Sequence, residues 1–272
     1  MAIRLGLIGG GVMGEALLSR LVGGGLYQSS EILVSDLSPL RRDVLSEQYG
    51  VSVTDDNAEV ARSASVVLLA IKPQIFAKVA PLVREVFQGV ETQPLVLSIL
   101  AGTALDTLET GLGDRVSVVR AMPNTPATVG GGMTAIARGS QVSDDQLQIA
   151  RQIFAAVGQV VEVSESLMDA VTGVSGSGPA YVALMVEALA DGGVAAGLPR
   201  AIASQLALQT VLGTAQLMAE TELHPAILKD RVTSPGGTTI AGVSMLEANG
   251  FRSAVIQAVQ AAALRSQELG QK

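Results

Sequence analysis

IRLGLIGGGVMGEALLSRL, Ile3 to Leu21, is the stretch that decides the fold class. Its first six residues are a short apolar run suited to a buried strand. Gly9, Gly11 and Gly14 follow at once in a G-x-G-x-x-G pattern, and apolar residues then recur at helical spacing through Ala16, Leu17, Leu18 and Leu21. In a strand–turn–helix of this kind the first glycine allows the tight turn. The second lets a pyrophosphate approach the backbone, and the third lets helix and strand pack closely. A second strand, EILVSD, ends at Asp36, about 20 residues on, where a ribose-contacting acid belongs. Asp36 would accept from a free 2′-hydroxyl and repel a 2′-phosphate. Ser35, Ser38, Arg41 and Arg42 crowd the same corner and offer that phosphate donors. The residues alone leave NADPH and NADH both open.

Further strand-like runs recur at Val51–Val53, Val66–Ile71, Leu95–Ile99, Val116–Arg120, Thr134–Ala137 and Val160–Val163, with helix-like segments between many of them. Such alternation marks an open, mostly parallel α/β sheet, doubly wound with helices on both faces. From about Glu165 strand signals fade. Ala-rich helical segments take over at Tyr181–Ala195, Ala201–Ala219, Ala241–Ala248 and Ser253–Glu268, punctuated by Pro179, Gly197, Pro199, Pro225 and Gly250. Two domains are expected: residues 1–164 binding a dinucleotide, and an all-helical 165–272 serving dimerisation and substrate. The helical part is so apolar and so rich in small residues that it calls for a partner chain, with a self-contained bundle as the alternative.

Composition excludes several classes. The chain has 272 residues, 48% hydrophobic and 16% charged, which suits a compact globular protein of one or two domains. Without Cys it has neither disulfides nor thiolate chemistry, and one His with no Cys cannot assemble a metal cluster. A net charge of −7 argues against nucleic acid, whose phosphates demand a basic face. The long apolar run after Pro179 is interrupted by Glu187 and Asp191, so no membrane span is expected. The glycines and Glu15 near the N-terminus suit a fold element and not a cleavable signal, and cytoplasm is the default.

Catalytic side chains are few, which fits a reaction whose hard step belongs to a cofactor. His224 precedes Pro225 at a helix start and reads better as a capping or surface residue than as an acid–base group. Lys72, Asn57 and Asn124 lie where open sheets bind ligands, each with an ordinary surface or turn role as its alternative. VTGVSGSGPAY, Val171 to Tyr181, reads as a helix end, a small-residue loop and a new helix from Pro179. A second anion trap stands far from the first, in VTSPGGTTIAG, Val232 to Gly242. Pro235, Gly236 and Gly237 build a tight turn, and Thr238 and Thr239 open a helix. Several unpaired N–H groups, with the helix dipole behind them, would hold a small carboxylate without any arginine, with a plain Thr N-cap after a Pro-Gly loop as the alternative.

IGGGVMG (Ile8–Gly14), AIKPQ (Ala70–Gln74), RAMPNTP (Arg120–Pro126), DAVTGVSGSGPAY (Asp169–Tyr181), DGGVAAGLPR (Asp191–Arg200) and KDRVTSPGGTTIAG (Lys229–Gly242) together resemble the pyrroline-5-carboxylate reductase family over essentially the whole chain. The resemblance implies an oxidoreductase for the last step of proline synthesis, with a Rossmann domain, an interlocked helical homodimer and, in many members, a decamer. NADPH is the implied cofactor, with NADH as the alternative that Asp36 keeps open. Implied cofactor contacts are Ile8, Gly9, Gly10, Gly11, Val12, Met13, Asn57, Ala70, Ile71, Lys72 and Pro73, to which the fingerprint and its ribose corner add Gly14, Ser35 and Asp36. Implied substrate contacts are Glu165, Ser234, Gly236, Gly237, Thr238 and Thr239. Backbone N–H groups of Gly237 and Thr238 would hold the carboxylate of the cyclic imine, and Thr239, the catalytic residue, would hydrogen-bond its nitrogen. Arg231 stands where some family members carry an uncharged side chain. A 3-hydroxyacid dehydrogenase would need a lysine base on a helix, and the helical half offers only Lys229 and Lys272. A dinucleotide-sensing regulator would have no use for the second anion trap.

Overall fold

The computed structural model of the chain describes residues 3–270 and divides into two compact units. One unit runs to Ser177 and takes up the chain again from Ala261; the other is Gly178–Gln260.

The first unit is built on eight strands: β1 (Leu5–Ile8), β2 (Ile32–Ser35), β3 (Ser52–Thr54), β4 (Val66–Leu69), β5 (Leu95–Ser98), β6 (Ser117–Met122), β7 (Gly132–Arg138) and β8 (Gly158–Glu162). They lie in the order β3-β2-β1-β4-β5-β6-β7-β8. Leu5 pairs with Ile32 on one side and Val66 on the other, so Ile8, Ser35 and Leu69 end level at one edge. Its helices are α1 (Val12–Gly23), α2 (Pro39–Tyr49), α3 (Asn57–Ser63), α4 (Pro73–Gln88), α5 (Leu105–Leu112), α6 (Asp144–Ala155) and the short α7 (Met168–Val171).

Because the central strands are covered on both faces, they are continuous apolar runs. Leu5, Leu7, Leu68 and Leu97 pack with Leu17, Leu18 and Leu21 of α1 and with Ile153 and Phe154 of α6. Ile8, Val67, Leu69 and Val96 pack on the opposite face with Val60 of α3, Val83 and Phe87 of α4 and Leu108 of α5. Each such side chain contributes about 1.5–3 kcal/mol by leaving water. Gly6 is a packing glycine: a Cβ there would stand 2.5 Å from Val60 Cγ1.

The doubly wound sheet expected from the sequence is present, with one antiparallel pair, β6–β7. Only residues 123–131 join these strands, including a 3₁₀ turn at Thr125–Val129. A parallel crossover needs roughly a dozen residues or more, usually with a helix, so this short link returns the chain antiparallel.

The second unit is helical: α8 (Gly178–Ala195), α9 (Arg200–Thr221), α10 (Pro225–Arg231), α11 (Thr238–Ala248) and most of α12 (Phe251–Gly270). α8 and α9 pack through Ala190, Ala203 and Ala207, and Gly193 allows the close approach: a Cβ on it would lie 3.1 Å from Ala203 Cβ. Tyr181 donates its hydroxyl to the Ala258 carbonyl, tying α8 to α12. Among the described residues those three alanines are the only buried apolar ones of this unit, while Leu184, Leu206, Leu208 and Ile256 are exposed.

The expected domain boundary at 164 follows the change in sequence pattern, whereas packing divides the chain at 177/178. Residues 165–177 lie against the sheet: Met168 is buried in the same apolar cluster as Leu108 and Val118, and Asp169 receives the Ser266 hydroxyl at 2.6 Å. Among the described residues no helix is long and apolar enough to cross a membrane.

Candidate active site

Chain order runs outward from β1 to β3 in one direction and from β4 to β6 in the other. The switch point, where open sheets bind ligands, therefore lies between the ends of β1 and β4. Ile8 is buried in β1, and its carbonyl accepts from Ala70 N–H at 2.9 Å, fastening the two loops together. Gly9 has φ +103°, and a Cβ on it would meet the Ala70 carbonyl at 2.7 Å. Gly14 is the close-packing glycine, since a Cβ there would lie 2.5 Å from the Gly9 carbonyl. Gly11 differs: a Cβ on it would meet nothing within 4 Å. The protein's own packing does not require that glycine, and the space beside it suits an approaching pyrophosphate. Gly11, Val12, Met13 and Gly14 present N–H groups without a partner among the described residues, with α1 behind them. The residues present therefore fit a dinucleotide.

At the ribose corner Asp36 turns inward. Its Oδ2 accepts from Gly10 N–H at 3.0 Å and its Oδ1 from Ser38 N–H at 2.9 Å. Ser35 is buried; its hydroxyl donates to Asn57 Oδ1 at 2.7 Å, so it orients Asn57 and does not itself open onto the corner. Ser38 caps α2. Arg42 donates through Nη1 to the Asp36 carbonyl at 2.7 Å. Arg41 donates to the Gly10 carbonyl and to Glu15, whose other oxygen receives the Tyr49 hydroxyl. Glu15 and Tyr49 carried no signal in the sequence, because they meet only where α1 and α2 pack.

Beside the β4 loop, Ile71 is half-buried, Lys72 is exposed as the N-cap of α4, and Pro73 occupies the first helical position. Along the same edge Arg120, buried in β6 level with Ser98 at the end of β5, pairs with Glu165 Oε1 at 3.0 Å. That oxygen also accepts from Leu105 N–H, the first residue of α5, leaving Oε2 without a partner among the described residues. A charge inside the apolar run VSVVRAM was the sequence signal for Arg120. Asn124 is a strut: it donates to the Ser175 carbonyl at 3.1 Å and accepts from Met133 N–H at 2.9 Å. The loop expected around Val171–Ser177 is instead a π-helical turn, Thr172–Gly176, continuing α7. Its hydroxyls stay local, Thr172 donating to the Met168 carbonyl and Ser175 to that of Val171.

In the helical unit His224 caps α10, accepting from Ala226 N–H at 3.2 Å, as the sequence suggested. Gly236 has φ +67°, and Ser234 O accepts from Gly237 N–H at 3.1 Å. Proline second and a positive-φ glycine third make this a type II turn. The Gly237 N–H expected to face a carboxylate is thus spent inside the turn. Thr238, Thr239 and Ile240 keep theirs, unpaired among the described residues, at the start of α11. The Ser234, Thr238 and Thr239 hydroxyls make no hydrogen bond within this set either. A Cβ on Gly237 would lie 2.3 Å from Ser234 Oγ, so a side chain there would push the Ser234 hydroxyl aside.

Strand order, glycine turn and ribose acid define a dinucleotide-binding protein of the Rossmann class. Residues 165–269 match the family model described as pyrroline-5-carboxylate reductase dimerisation, and residues 4–102 match that of NADP oxidoreductase, coenzyme F420-dependent. A pyrroline-5-carboxylate reductase from Synechocystis is 61% identical over all of both chains. The chain belongs to the pyrroline-5-carboxylate reductase family. Among solved structures, the reductase from Coxiella burnetii has a TM-score of 0.93 at 37% identity, covering 100% of each chain. That of Plasmodium falciparum, solved with NADP bound, has a TM-score of 0.88 at 32% identity, covering 98% of each.

Proposed function

We propose that this chain reduces 1-pyrroline-5-carboxylate to L-proline, with the substrate carboxylate held by the Ser234–Thr239 loop and the imine nitrogen hydrogen-bonded by Thr239. The observation that carries the reading is the type II turn opening α11, which leaves three adjacent N–H groups free at a helix start. A carboxylate is the small anion such a site takes without a basic side chain. The Thr239 hydroxyl donates and accepts, so it serves the ring nitrogen whether or not that nitrogen carries a proton. Glu165, with Oε2 unspent, belongs to the substrate side in this reading.

Bound against the glycine turn, NADPH would supply the hydride. Gly9–Gly14 would hold the pyrophosphate, Asn57 and Ala70–Pro73 would line the dinucleotide, and Arg41 and Arg42 would meet the 2′-phosphate. We favour NADPH over NADH because both Asp36 oxygens are taken by backbone N–H groups, which mutes its repulsion of a phosphate. The exposed apolar side chains of α8, α9 and α12 support a homodimer through the helical region from residue 165, with a decamer as the larger assembly and the cytoplasm as its place of work.

Cofactor oxidation followed with pyrroline-5-carboxylate, in parallel with NADPH and NADH, tests this. Substrate-dependent oxidation with preference for NADPH is expected. Cofactor binding without turnover would reject the reductase in favour of a sensing role.

A further inference from the structure

Three side chains from two helices converge on the first glycine turn. Arg41, in the first turn of α2, donates through Nε to the Gly10 carbonyl and through Nη2 to Glu15 Oε2. Tyr49, the last residue of α2, donates to Glu15 Oε1 at 2.9 Å. The Arg41 and Glu15 side chains are only 27% and 26% exposed, so this is a built cluster and not a loose surface pair.

Its location matters. Glu15 lies in the first turn of α1, beside the N–H groups suited to a pyrophosphate, where an unbalanced carboxylate would repel that anion. Arg41 balances the charge and Tyr49 occupies the second oxygen. Burial works against the Glu15 charge, but the hydrogen bonds from Arg41 and Tyr49 outweigh it and hold the carboxyl below its ordinary range. Asp36 grips Gly10 by its N–H while Arg41 grips the carbonyl of the same residue. A Cβ on Gly10 would stand 3.4 Å from Asp36 Oδ2 and 3.7 Å from Arg41 Cγ, so both side chains share the ribose corner. No ion pair joins Arg41 to Asp36 among the described residues, and Arg41 Nη1 makes no hydrogen bond there.

We propose that Glu15 and Tyr49 are positioning residues for cofactor choice: they hold Arg41 beside Gly10 with its Nη1 amino group free for the 2′-phosphate that distinguishes NADPH from NADH. This rests on the reading of the chain as an NADPH-dependent reductase. A loose arginine would lose its rotamer freedom on meeting the phosphate, whereas one already clamped at Nε and Nη2 has little left to lose. Geometry, and not charge count alone, then sets the preference.

The experiment compares kcat/KM for NADPH and NADH in the full chain and in Tyr49→Phe, Glu15→Gln and Arg41→Ala. Each protein is also challenged with 2′,5′-ADP and with 5′-AMP as competitors. The NADPH-to-NADH ratio should fall about tenfold in Glu15→Gln and about threefold in Tyr49→Phe, the scale of weakening one charge-assisted contact, and furthest in Arg41→Ala. Inhibition by 2′,5′-ADP should weaken in the same order, without a matching trend for 5′-AMP. If Arg41→Ala collapses the ratio while Glu15→Gln and Tyr49→Phe leave it unmoved, or lower both cofactors equally, the positioning role is overturned and the phosphate contact stands. A ratio unmoved in Arg41→Ala, or a wild-type preference for NADH, overturns both. Absence of turnover with either cofactor instead removes the reductase reading itself.

Discussion

Arg120 and Glu165, 45 residues apart, meet as an ion pair at 3.0 Å, and the Arg120 side chain is only 7% exposed. The pair joins β6 to the first residues beyond the apparent sequence boundary. The same Glu165 oxygen receives Leu105 N–H where α5 begins, so one carboxylate fixes three segments.

Glu165→Ala should therefore destabilise the fold as well as affect any substrate contact. Stranding a buried charge costs about 3–5 kcal/mol when the pair is fully buried. Glu165 is 33% exposed, so about 2 kcal/mol is the expectation here, read as a lower urea midpoint. An unchanged midpoint would show that the pair contributes nothing.

The glycines of the first turn separate by role. Gly14→Ala places a Cβ 2.5 Å from the Gly9 carbonyl and should cost about 1–3 kcal/mol of stability. Gly11→Ala meets open space and should leave stability within about 0.5 kcal/mol. Yet it should raise the NADPH KM about tenfold or more, because the methyl takes room the pyrophosphate needs. Thermal unfolding and cofactor titration on the two variants should give opposite rankings.

Thr239→Val should lower kcat about 10²-fold, the scale of losing one oriented hydrogen bond to the reacting group, while Thr239→Ser keeps most of the activity. Steady-state kinetics at saturating NADPH decide it. Near-normal kcat in the valine variant would remove Thr239 from the chemistry.

Thr134, on β7, is 1% exposed, and its hydroxyl is buried without a hydrogen-bond partner among the described residues. Thr134→Val removes that unpaired group at nearly constant shape and should stabilise the protein by about 1 kcal/mol. A lower melting temperature would mean that the hydroxyl has a partner after all.

Acid should weaken the Glu15 cluster. The carboxyl is held below its ordinary value of 4.5, so the folded state favours its charged form. A depressed carboxylate contributes stability that is complete above the unfolded value and lost as pH falls through the folded one. The stability difference between wild type and Glu15→Gln should then be constant from about pH 7 to pH 5 and shrink below the ordinary value. Urea unfolding across that range measures it, and a difference that grows on acidification would reverse the assignment.

Much of the fold is legible in local sequence. IRLGLIGGGVMG already names strand, turn and helix, and the SPGG bend already names a tight turn followed by a helix start. His224 before Pro225 names its own capping role. Each depends only on backbone conformations that a few adjacent residues prefer, so tertiary context had little to add.

What the tertiary structure alone decided is pairing across distance. Arg120 finding Glu165, Arg41 clamped between Gly10 and Glu15, and Asn124 bracing the π-helical turn all depend on which helices pack together. Turn closure is also decided there, for the Gly237 N–H could be counted from sequence but its partner could not. Local preference dictates the shape of a segment, whereas the partner of a polar group is set by whatever the folded core brings within about 3 Å of it.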